Sequence, residues 1–394
     1  MSLPPFNPFQ PQLRSDPYPL YRPYREQDSV HWNGSPDHAQ GSWCVFRHQD
    51  VVAALKNTSL GKSMKPMAPE PLGRLLGQWM LLRNPPSHTR LRGLVNTAFT
   101  PQVVGRLHQS IQETADFLLT EVEADGEMDV ILHYASALPL IVIAELLGIP
   151  PSDRARFRAW SIDLGTVLDV SPTREAIARA TRSTLDLTEY LRRIVSERRV
   201  DPQPDLISVL IDAEENGEKL TEDELLAMCV LLLGAGHETT VNLIGNGALA
   251  LLRHPDQLAR LRDDPSIAED AVEELLRYDS SVQMVFREAL DDLQLGRKTI
   301  RRGEAVTIFL GSANRDPEQF PDPDRLDLTR GRTRHTGFGM GIHFCLGAPL
   351  ARLEAQIAFQ TLLRRMPCLT LQPGPLTWRA GLVFHGVEAL PVRF

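Results

Sequence analysis

Cysteine is scarce in this chain, with four residues among 394: Cys44, Cys229, Cys345 and Cys368. Their spacings are unrelated, so they do not form a disulfide framework, and a reducing compartment is the simple interpretation. The amino terminus also lacks a basic segment followed by an apolar core, which excludes a secretory signal peptide. We therefore expect a cytoplasmic protein.

Long apolar runs and an excess of positive charge are missing as well. The longest apolar run, Leu225–Ala235, is about half of what spans a bilayer. The formal net charge of −8 argues against non-specific binding to nucleic acid. We expect a soluble protein with no membrane anchor and no nucleic-acid partner.

The pattern of the chain is mainly helical, with a small β portion. Helical periodicity dominates residues 87–208, whereas short β-like pieces appear at Val282–Phe286 and Ala305–Leu310. Neither a linker nor an internal repeat interrupts the chain, and 42% of its residues are hydrophobic, which suffices for a sizeable core. One domain spanning residues 1–394 is predicted.

Local signals predict several individual elements. A capping box at Thr221 begins a helix that extends to about Arg253, roughly 50 Å at 1.5 Å per residue. A short helix is predicted near Pro19–Gln27, and Asp50 is predicted to cap another. Residues 57–86 contain several glycines and prolines and are predicted to form a long loop.

The most informative run is Phe338–Gly347, with the sequence FGMGIHFCLG. Glycines let the backbone turn tightly and lie close to a flat ligand. A helix beginning just after Cys345 would direct its free N–H groups at the sulfur and favour a thiolate. A shielded thiolate is one way to hold a haem iron. Two alternatives are an ordinary buried cysteine in a glycine-rich turn, and a zinc site that uses His343 with Cys345.

The long helix contains two glycines at its centre, Gly234 and Gly236. Each costs roughly 1 kcal/mol relative to alanine within a helix. Close packing against another element is one explanation, and a local distortion that makes room for a ligand is the other. Ala235 and Thr239 share a helix face, so the Thr239 hydroxyl could reach the Ala235 carbonyl. Glu238 directly precedes this hydroxyl.

The cysteine run closely resembles the haem-binding loop of the cytochrome P450 family, which reads Phe-Gly-x-Gly-x-basic-x-Cys-x-Gly. Every fixed position matches, from Phe338 onward, with His343 in the basic position. The resemblance extends over nearly the whole chain. It implies a single-domain cytochrome P450 fold in which haem b lies between a long central helix and the cysteine-loop helix. Cys345 would then be the axial ligand of the haem iron.

The block at residues 233–240 resembles the oxygen-activating motif of the same family. The resemblance implies that Ala235 lies over the haem, that Glu238 relays protons, and that Thr239 organises the reduced oxygen species and its water. An intact acid–alcohol pair favours insertion of one atom of O₂ into a substrate. A peroxide-driven peroxygenase, an isomerase and a haem-thiolate protein without oxygenase activity remain alternatives.

An acid and a base at helical spacing, Glu274 and Arg277, match the family's Glu-x-x-Arg motif. Taken alone, such a pair is common on exposed helices and contributes little. The segment Pro323–Leu326 resembles the partner motif, which implies that Arg325 completes the network. The implied role of the three residues is structural support of the haem loop.

Haem propionates need cationic donors, for which arginine is well suited. His88 and Arg92 share a helix face at i, i+4 and resemble the family's propionate clamp. Arg287 and His335 occupy the two other familiar positions. The resemblance implies that these four residues bind the propionates.

Because the sequence ends soon after the haem segment, we expect no flavin or nicotinamide domain in this protein. Electrons are therefore expected from a ferredoxin or flavodoxin with its reductase. The substrate pocket, sketched by family position, is mostly apolar and implies a lipophilic small molecule. Its candidate residues are Met80, Leu232, Gln283, Val285 and Val383.

Overall fold

The structure is a computed structural model. It describes residues 3–34, 41–63, 68, 70, 72–96, 99–166, 173–215, 218–331 and 333–394.

Helices account for most of the described chain. In chain order they are α1 (Tyr18–Gln27), α2 (His48–Lys56), α3 (Leu72–Leu76), α4 (Ser87–Asn96), α5 (Pro101–Gly105), α6 (His108–Glu123), α7 (Ala137–Leu146), α8 (Arg154–Thr166), α9 (Arg174–Val200), α10 (Leu206–Asp212), α11 (Glu222–Arg253), α12 (Pro255–Asp263), α13 (Ala268–Tyr278), α14 (Leu310–Ala313) and α15 (Ala348–Arg365).

The strands are short. They are β1 (Val30–Gly34), β2 (Gly41–Val45), β3 (Leu60–Gly61), β4 (Glu127–Asp129), β5 (Glu214–Glu215), β6 (Glu218–Lys219), β7 (Met284–Ala289), β8 (Leu293–Leu295), β9 (Lys298–Ile300), β10 (Ala305–Phe309), β11 (Thr370–Leu371) and β12 (Pro391–Arg393).

The chain forms two compact units. The first comprises Met1–Ser63, Asn242–Cys345 and Met366–Phe394, and the second comprises Met64–Val241 and Leu346–Arg365. The expectation of one domain over residues 1–394 stays a prediction.

A five-stranded sheet organises the first unit, in the order β1-β2-β10-β7-β3. β10 pairs parallel to β2 and antiparallel to β7, with Val306 opposite Arg287 and Ile308 opposite Val285. Apolar side chains from the sheet and from α2 form a buried core beneath it. The β portion predicted from the sequence therefore carries one of the candidate site residues, Arg287.

The second unit is built from packed helices. α15 packs against α6 through buried apolar side chains, and the Tyr134 hydroxyl donates to the Ala358 carbonyl at 3.0 Å. α8 and α9 form another closely packed pair. The sequence prediction of a mostly helical region over residues 87–208 is confirmed for the described residues.

α11 is the one helix in the described chain that is long and apolar enough to cross a bilayer. However, 83% of its apolar window is buried inside the protein, as in the core helix of a globular fold. The capping box is confirmed, because the Glu224 amide donates to Thr221 Oγ1 and the Thr221 amide donates to the Glu224 carboxylate.

Two local predictions are wrong. Asp50 lies inside the first turn of α2, whose first amide, that of His48, is instead capped by Asp316 Oδ2 at 2.8 Å. Residues 57–86 are not one loop, because β3, α3 and a 3₁₀ turn at Met80–Leu82 lie within them. Residues 64–67, 69 and 71 of that stretch lie outside the described residues.

Candidate active site

The cysteine run folds as a tight loop closed by backbone hydrogen bonds. The Cys345 amide donates to the Phe338 carbonyl at 2.9 Å, and the Phe344 amide donates to the Gly341 carbonyl at 3.1 Å. Gly339 and Gly341 have φ values of 67° and 71°, in the left-handed region that side chains disfavour. The two glycines therefore allow the chain to reverse direction before Cys345.

Gly341 also seats the loop on α2. A Cβ at this position would lie 2.5 Å from the Leu55 carbonyl oxygen. Non-bonded atoms essentially never approach a Cβ that closely. The loop can approach the end of α2 only because this residue has no side chain.

The start of the loop is fixed by Thr336, which is fully buried. Its amide donates to Asn314 Oδ1 at 2.7 Å, and its hydroxyl lies 2.9 Å from the same oxygen. The side-chain nitrogen of Asn314, Nδ2, in turn donates to Ser280 Oγ at 2.7 Å. These buried bonds hold the segment before Phe338 in one place.

His335 has protein partners at both ring nitrogens. Its Nε2 donates to Glu273 Oε2 at 3.1 Å, and its Nδ1 accepts a hydrogen bond from the Gly337 amide at 3.0 Å. In this structure the side chain therefore supports the loop, and neither nitrogen is left over for a propionate.

The four cysteines differ in accessibility. Cys44 and Cys229 are buried, and burial raises the pKa of each thiol to about 12. Cys345 is partly exposed, and Cys368 is exposed. Within the described part of the chain, no group of three potential metal-ligating side chains surrounds any cysteine, so nothing there completes a zinc site for His343 and Cys345.

Arg287 presents a buried cation on β7. Its Nη1 donates to the Phe286 carbonyl at 2.8 Å, and it forms no ion pair with any described carboxylate. Burial lowers the pKa of its guanidinium to about 10. A desolvated guanidinium of this kind favours a carboxylate partner, and haem propionates are carboxylates. The partly exposed thiol of Cys345 lies in the same unit. A thiol ligand for the iron and a guanidinium for a propionate are the groups that haem requires, so these residues fit haem.

Lys62 is a second cation in this region, which the sequence analysis missed. It lies one residue beyond the paired Gly61 and Glu288, so the strand register places it opposite Arg287. Burial and the charge of Arg287 hold the pKa of Lys62 well below its usual range. Two neighbouring cations strengthen the case for an anionic ligand here.

His88 and Arg92 lie on α4 of the second unit, one turn apart as predicted. His88 is buried, and its amide donates to the Asn84 carbonyl at 2.9 Å. Arg92 Nε donates to Asn96 Oδ1 at 2.9 Å. The structure thus places both on one helix face, the arrangement expected of a propionate clamp.

The centre of α11 confirms the predicted hydroxyl–carbonyl contact. Thr239 Oγ1 donates to the Ala235 carbonyl at 2.8 Å, and both residues are half-buried. Of the two explanations for the glycines, a distortion of the helix type is not seen, because α11 is assigned as α-helix throughout Glu222–Arg253. Glu238 is 8% exposed and lies on the same turn.

Comparison with known proteins identifies the family. A family model described as "Cytochrome P450" matches residues 167–375. The polyketide biosynthesis cytochrome P450 PksS of Bacillus subtilis is 40% identical over 402 aligned residues, covering 98% of each chain. Cytochrome P450 107B1 of Saccharopolyspora erythraea is 44% identical over 367 residues, covering 89% of each. The crystal structure of P450BioI in complex with hexadec-9Z-enoic acid ligated acyl carrier protein superposes with a TM-score of 0.91 at 39% identity, covering 97% of this chain and 99% of that one.

The chain belongs to the cytochrome P450 family. The P450 fold predicted from the sequence, mainly α with a small β portion, is confirmed. The protein is a haem-thiolate monooxygenase that binds haem b. It inserts one oxygen atom from O₂ into a lipophilic small molecule and takes electrons from a separate redox partner.

A buried ion-pair network underlies the P450's cysteine loop in the first unit. Arg277 Nε and Nη2 donate to the two Glu274 oxygens at 2.7 and 2.8 Å, and both side chains are fully buried. Arg277 also donates to the carbonyls of Asn314, Pro323 and Arg325. Since each buried charge is paired in a bidentate geometry, the network holds three chain segments together.

The third member of this network is Arg330, which corrects the assignment of Arg325. The Nε of Arg330 lies 3.2 Å from the Glu274 carboxylate, whereas Arg325 is exposed and contributes only its carbonyl oxygen. The side chain of Arg325 faces solvent because it lies in a turn whose inward-facing apolar residue is Leu326.

Among the predicted pocket residues, Gln283 is not available to a substrate. Its Nε2 donates to the Ser280 carbonyl at 2.8 Å and lies 3.4 Å from the Tyr18 hydroxyl, and the residue is 2% exposed. The prediction of Gln283 as the polar pocket residue is therefore wrong, because its amide is held within the core.

The other pocket candidates stay predictions. Met80, Leu232 and Val383 are buried, and Val285 is half-buried and packs against the core of the sheet. The Val383 carbonyl accepts a hydrogen bond from the Gln283 amide at 2.8 Å, which fixes the turn that carries it.

Glu354 is a buried carboxyl on α15 that the sequence analysis did not single out. It is 3% exposed, its Oε2 has no hydrogen-bond partner among the described residues, and burial raises its pKa to about 8. The ordinary value, expected in the unfolded chain, is about 4.3. Between these two values the folded state holds one proton more than the unfolded state, so stability falls as pH rises through this window.

We expect Glu354→Gln to remove this pH dependence, because glutamine cannot ionise. From pH 5 to pH 8 the wild-type free energy of unfolding should fall by a few kcal/mol more than that of the variant. Denaturant titrations of both holoproteins at the two pH values measure the difference. Glu113→Gln, at an exposed position on α6, is the matched control. Equal pH dependence in wild type and Glu354→Gln would contradict the prediction.

Proposed function

We propose that Cys345 is the axial ligand of the haem iron, and that Arg287 with Lys62, and His88 with Arg92, bind the propionates. The carrying observation is the loop that presents the partly exposed Cys345 just after two left-handed glycines, Gly339 and Gly341. The same unit contains the guanidinium of Arg287, which forms no ion pair with any described carboxylate. Bound haem supplies the oxygen activation and substrate oxidation. His335 is proposed to support the loop through Glu273.

Thr239 and Glu238 are proposed to deliver protons. Because the Thr239 hydroxyl donates its own proton to the Ala235 carbonyl, its oxygen is left to accept a hydrogen bond from a water. Glu238, directly adjacent in sequence, supplies a carboxyl that can exchange protons with such a water. This pair favours an O₂-dependent monooxygenase over a peroxygenase, which needs no proton delivery of this kind.

The substrate is proposed to be a polyketide or a fatty-acyl chain. Two observations support this class: the name of PksS assigns that protein to polyketide biosynthesis, and P450BioI is bound to a carrier protein that bears a hexadecenoic acid. The candidate pocket residues Met80, Leu232, Val285 and Val383 are all apolar. We further propose a ferredoxin or flavodoxin with its reductase as electron source, and a cytoplasmic location.

Replacing Thr239 with alanine should uncouple electron use from product formation. We expect product per electron to fall at least about tenfold and peroxide release to rise, because a general acid–base group contributes 10²- to 10⁴-fold. Hexadec-9Z-enoic acid, supplied with a plant ferredoxin, its reductase and NADPH, serves as the probe reaction, with product and peroxide both quantified.

Thr240→Ala is the matched control for this experiment. Thr240 makes the same kind of bond, from its hydroxyl to the Gly236 carbonyl at 2.9 Å, on the next position of α11. Its replacement should leave the coupling within about twofold. Unchanged coupling in Thr239→Ala, together with peroxide-driven turnover in the absence of ferredoxin, would favour the peroxygenase instead.

A further inference from the structure

His237 connects α11 to two other parts of the second unit. It is 1% exposed and lies between Gly236 and Glu238. Its Nε2 is 3.0 Å from the Ser136 carbonyl oxygen, and its Nδ1 is 2.9 Å from Ser161 Oγ. Ser136 directly precedes α7, and Ser161 lies on α8.

The chemistry of these contacts fixes the orientation of the ring. A carbonyl oxygen only accepts hydrogen bonds, so Nε2 carries a proton and donates it to Ser136. The Ser161 hydroxyl satisfies Nδ1 on the opposite side of the ring. Both serines are buried, and buried hydrogen bonds of this kind exchange poorly with water and hold a defined geometry.

The two glycines leave this part of α11 without side chains at two positions that approach neighbouring helices. A Cβ at Gly234 would lie 3.5 Å from Leu164 Cβ, and one at Gly236 would lie 4.0 Å from Ile143 Cδ1. These are ordinary van der Waals separations, so the glycines are not forced by close contact and leave the faces toward α7 and α8 without side chains. Two directional bonds from one imidazole, to two different elements, restrain the rotation of the helix where side-chain packing is reduced.

We propose that His237 is a positioning residue for the proton-delivery pair Glu238–Thr239. By tying α11 to Ser136 and Ser161, it fixes the rotation of the helix turn on which the carboxyl and the hydroxyl lie. The proposal rests on the roles given above to Glu238 and Thr239. A displacement of about 1 Å at such a pair reduces rates as much as 10²-fold.

The test compares His237→Phe, His237→Gln and Ser161→Ala in the haem-loaded protein. Glutamine can still donate to the Ser136 carbonyl, and Ser161→Ala removes only the second bond. His254→Phe, which removes an imidazole just after the end of the same helix, is the control. The first readout is amide hydrogen exchange of peptides that cover residues 233–241, which does not depend on turnover. The second is product and peroxide per electron in the hexadec-9Z-enoic acid reaction.

The proposal predicts that His237→Phe raises exchange in residues 233–241 about tenfold and lowers product per electron by at least about fivefold. His237→Gln and Ser161→Ala should fall between it and wild type, and His254→Phe should match wild type in both readouts. Wild-type coupling in His237→Phe, with or without a loss of thermal stability, would overturn the proposal. Wild-type coupling in Thr239→Ala would instead disprove the proton-delivery role on which this proposal rests, and unchanged exchange in His237→Phe would separately disprove the restraint.

Discussion

Arg277→Ala is expected to lower the free energy of unfolding by about 3–5 kcal/mol. The Glu274 carboxylate would stay buried but would lose one of its two arginine partners, keeping only Arg330. The expected loss is a large part of the 5–15 kcal/mol that typically stabilises a folded protein. The three carbonyls that Arg277 binds would lose their donor at the same time. Denaturant titration, or the yield of folded holoprotein if the variant is too unstable, measures the effect.

Two further arginine variants test which side chains belong to the ion-pair network. Arg330→Ala should be intermediate, at about 1–3 kcal/mol, because its guanidinium reaches both Glu274 and nearby carbonyls. Arg325→Ala should change stability by no more than about 0.5 kcal/mol, because only its backbone takes part. A loss in Arg325→Ala as large as that in Arg277→Ala would show that the network is assigned wrongly.

Cys345→Ser should reduce product formation to background, the largest effect on activity that we predict. A serine hydroxyl cannot supply the thiolate that favours O–O cleavage. The measurements are the iron-to-protein ratio and product formed from hexadec-9Z-enoic acid with ferredoxin and NADPH. Cys368→Ser, at the exposed cysteine, is the matched control and should behave like wild type. Retention of activity in Cys345→Ser, or its loss in Cys368→Ser alone, would contradict the assignment of the ligand.

The local features of the site were predictable from the sequence because their geometry is set within a few residues. The reversal around Cys345 follows from Gly339 and Gly341, both of which take positive φ. The contact between Thr239 and the Ala235 carbonyl follows from four-residue spacing on a helix. Neither feature depends on which distant segment packs nearby.

The errors concern side chains whose direction is set by distant partners. Arg325 and Arg330 end two successive turns, Asp322–Arg325 and Asp327–Arg330, and the position of α13 decides which guanidinium reaches Glu274. Gln283 turns inward because Tyr18 and the Ser280 carbonyl are there to bind it. His335 is likewise oriented by Glu273, a residue 62 positions earlier.

The helix centre shows a further limit of local reasoning. Two glycines lower helix propensity, yet α11 remains regular because its neighbours in the core sustain it. The roles of Lys62 and His237 had no sequence signal, since the first depends on strand register and the second on two serines far along the chain.

The absorption spectrum of the reduced, carbon-monoxide-bound protein tests the central claim most directly. The account predicts a strongly red-shifted Soret band, which arises when a cysteine thiolate is the ligand opposite carbon monoxide. An unshifted Soret band from protein with a full complement of haem would contradict the claim that the Cys345 thiolate ligates the iron.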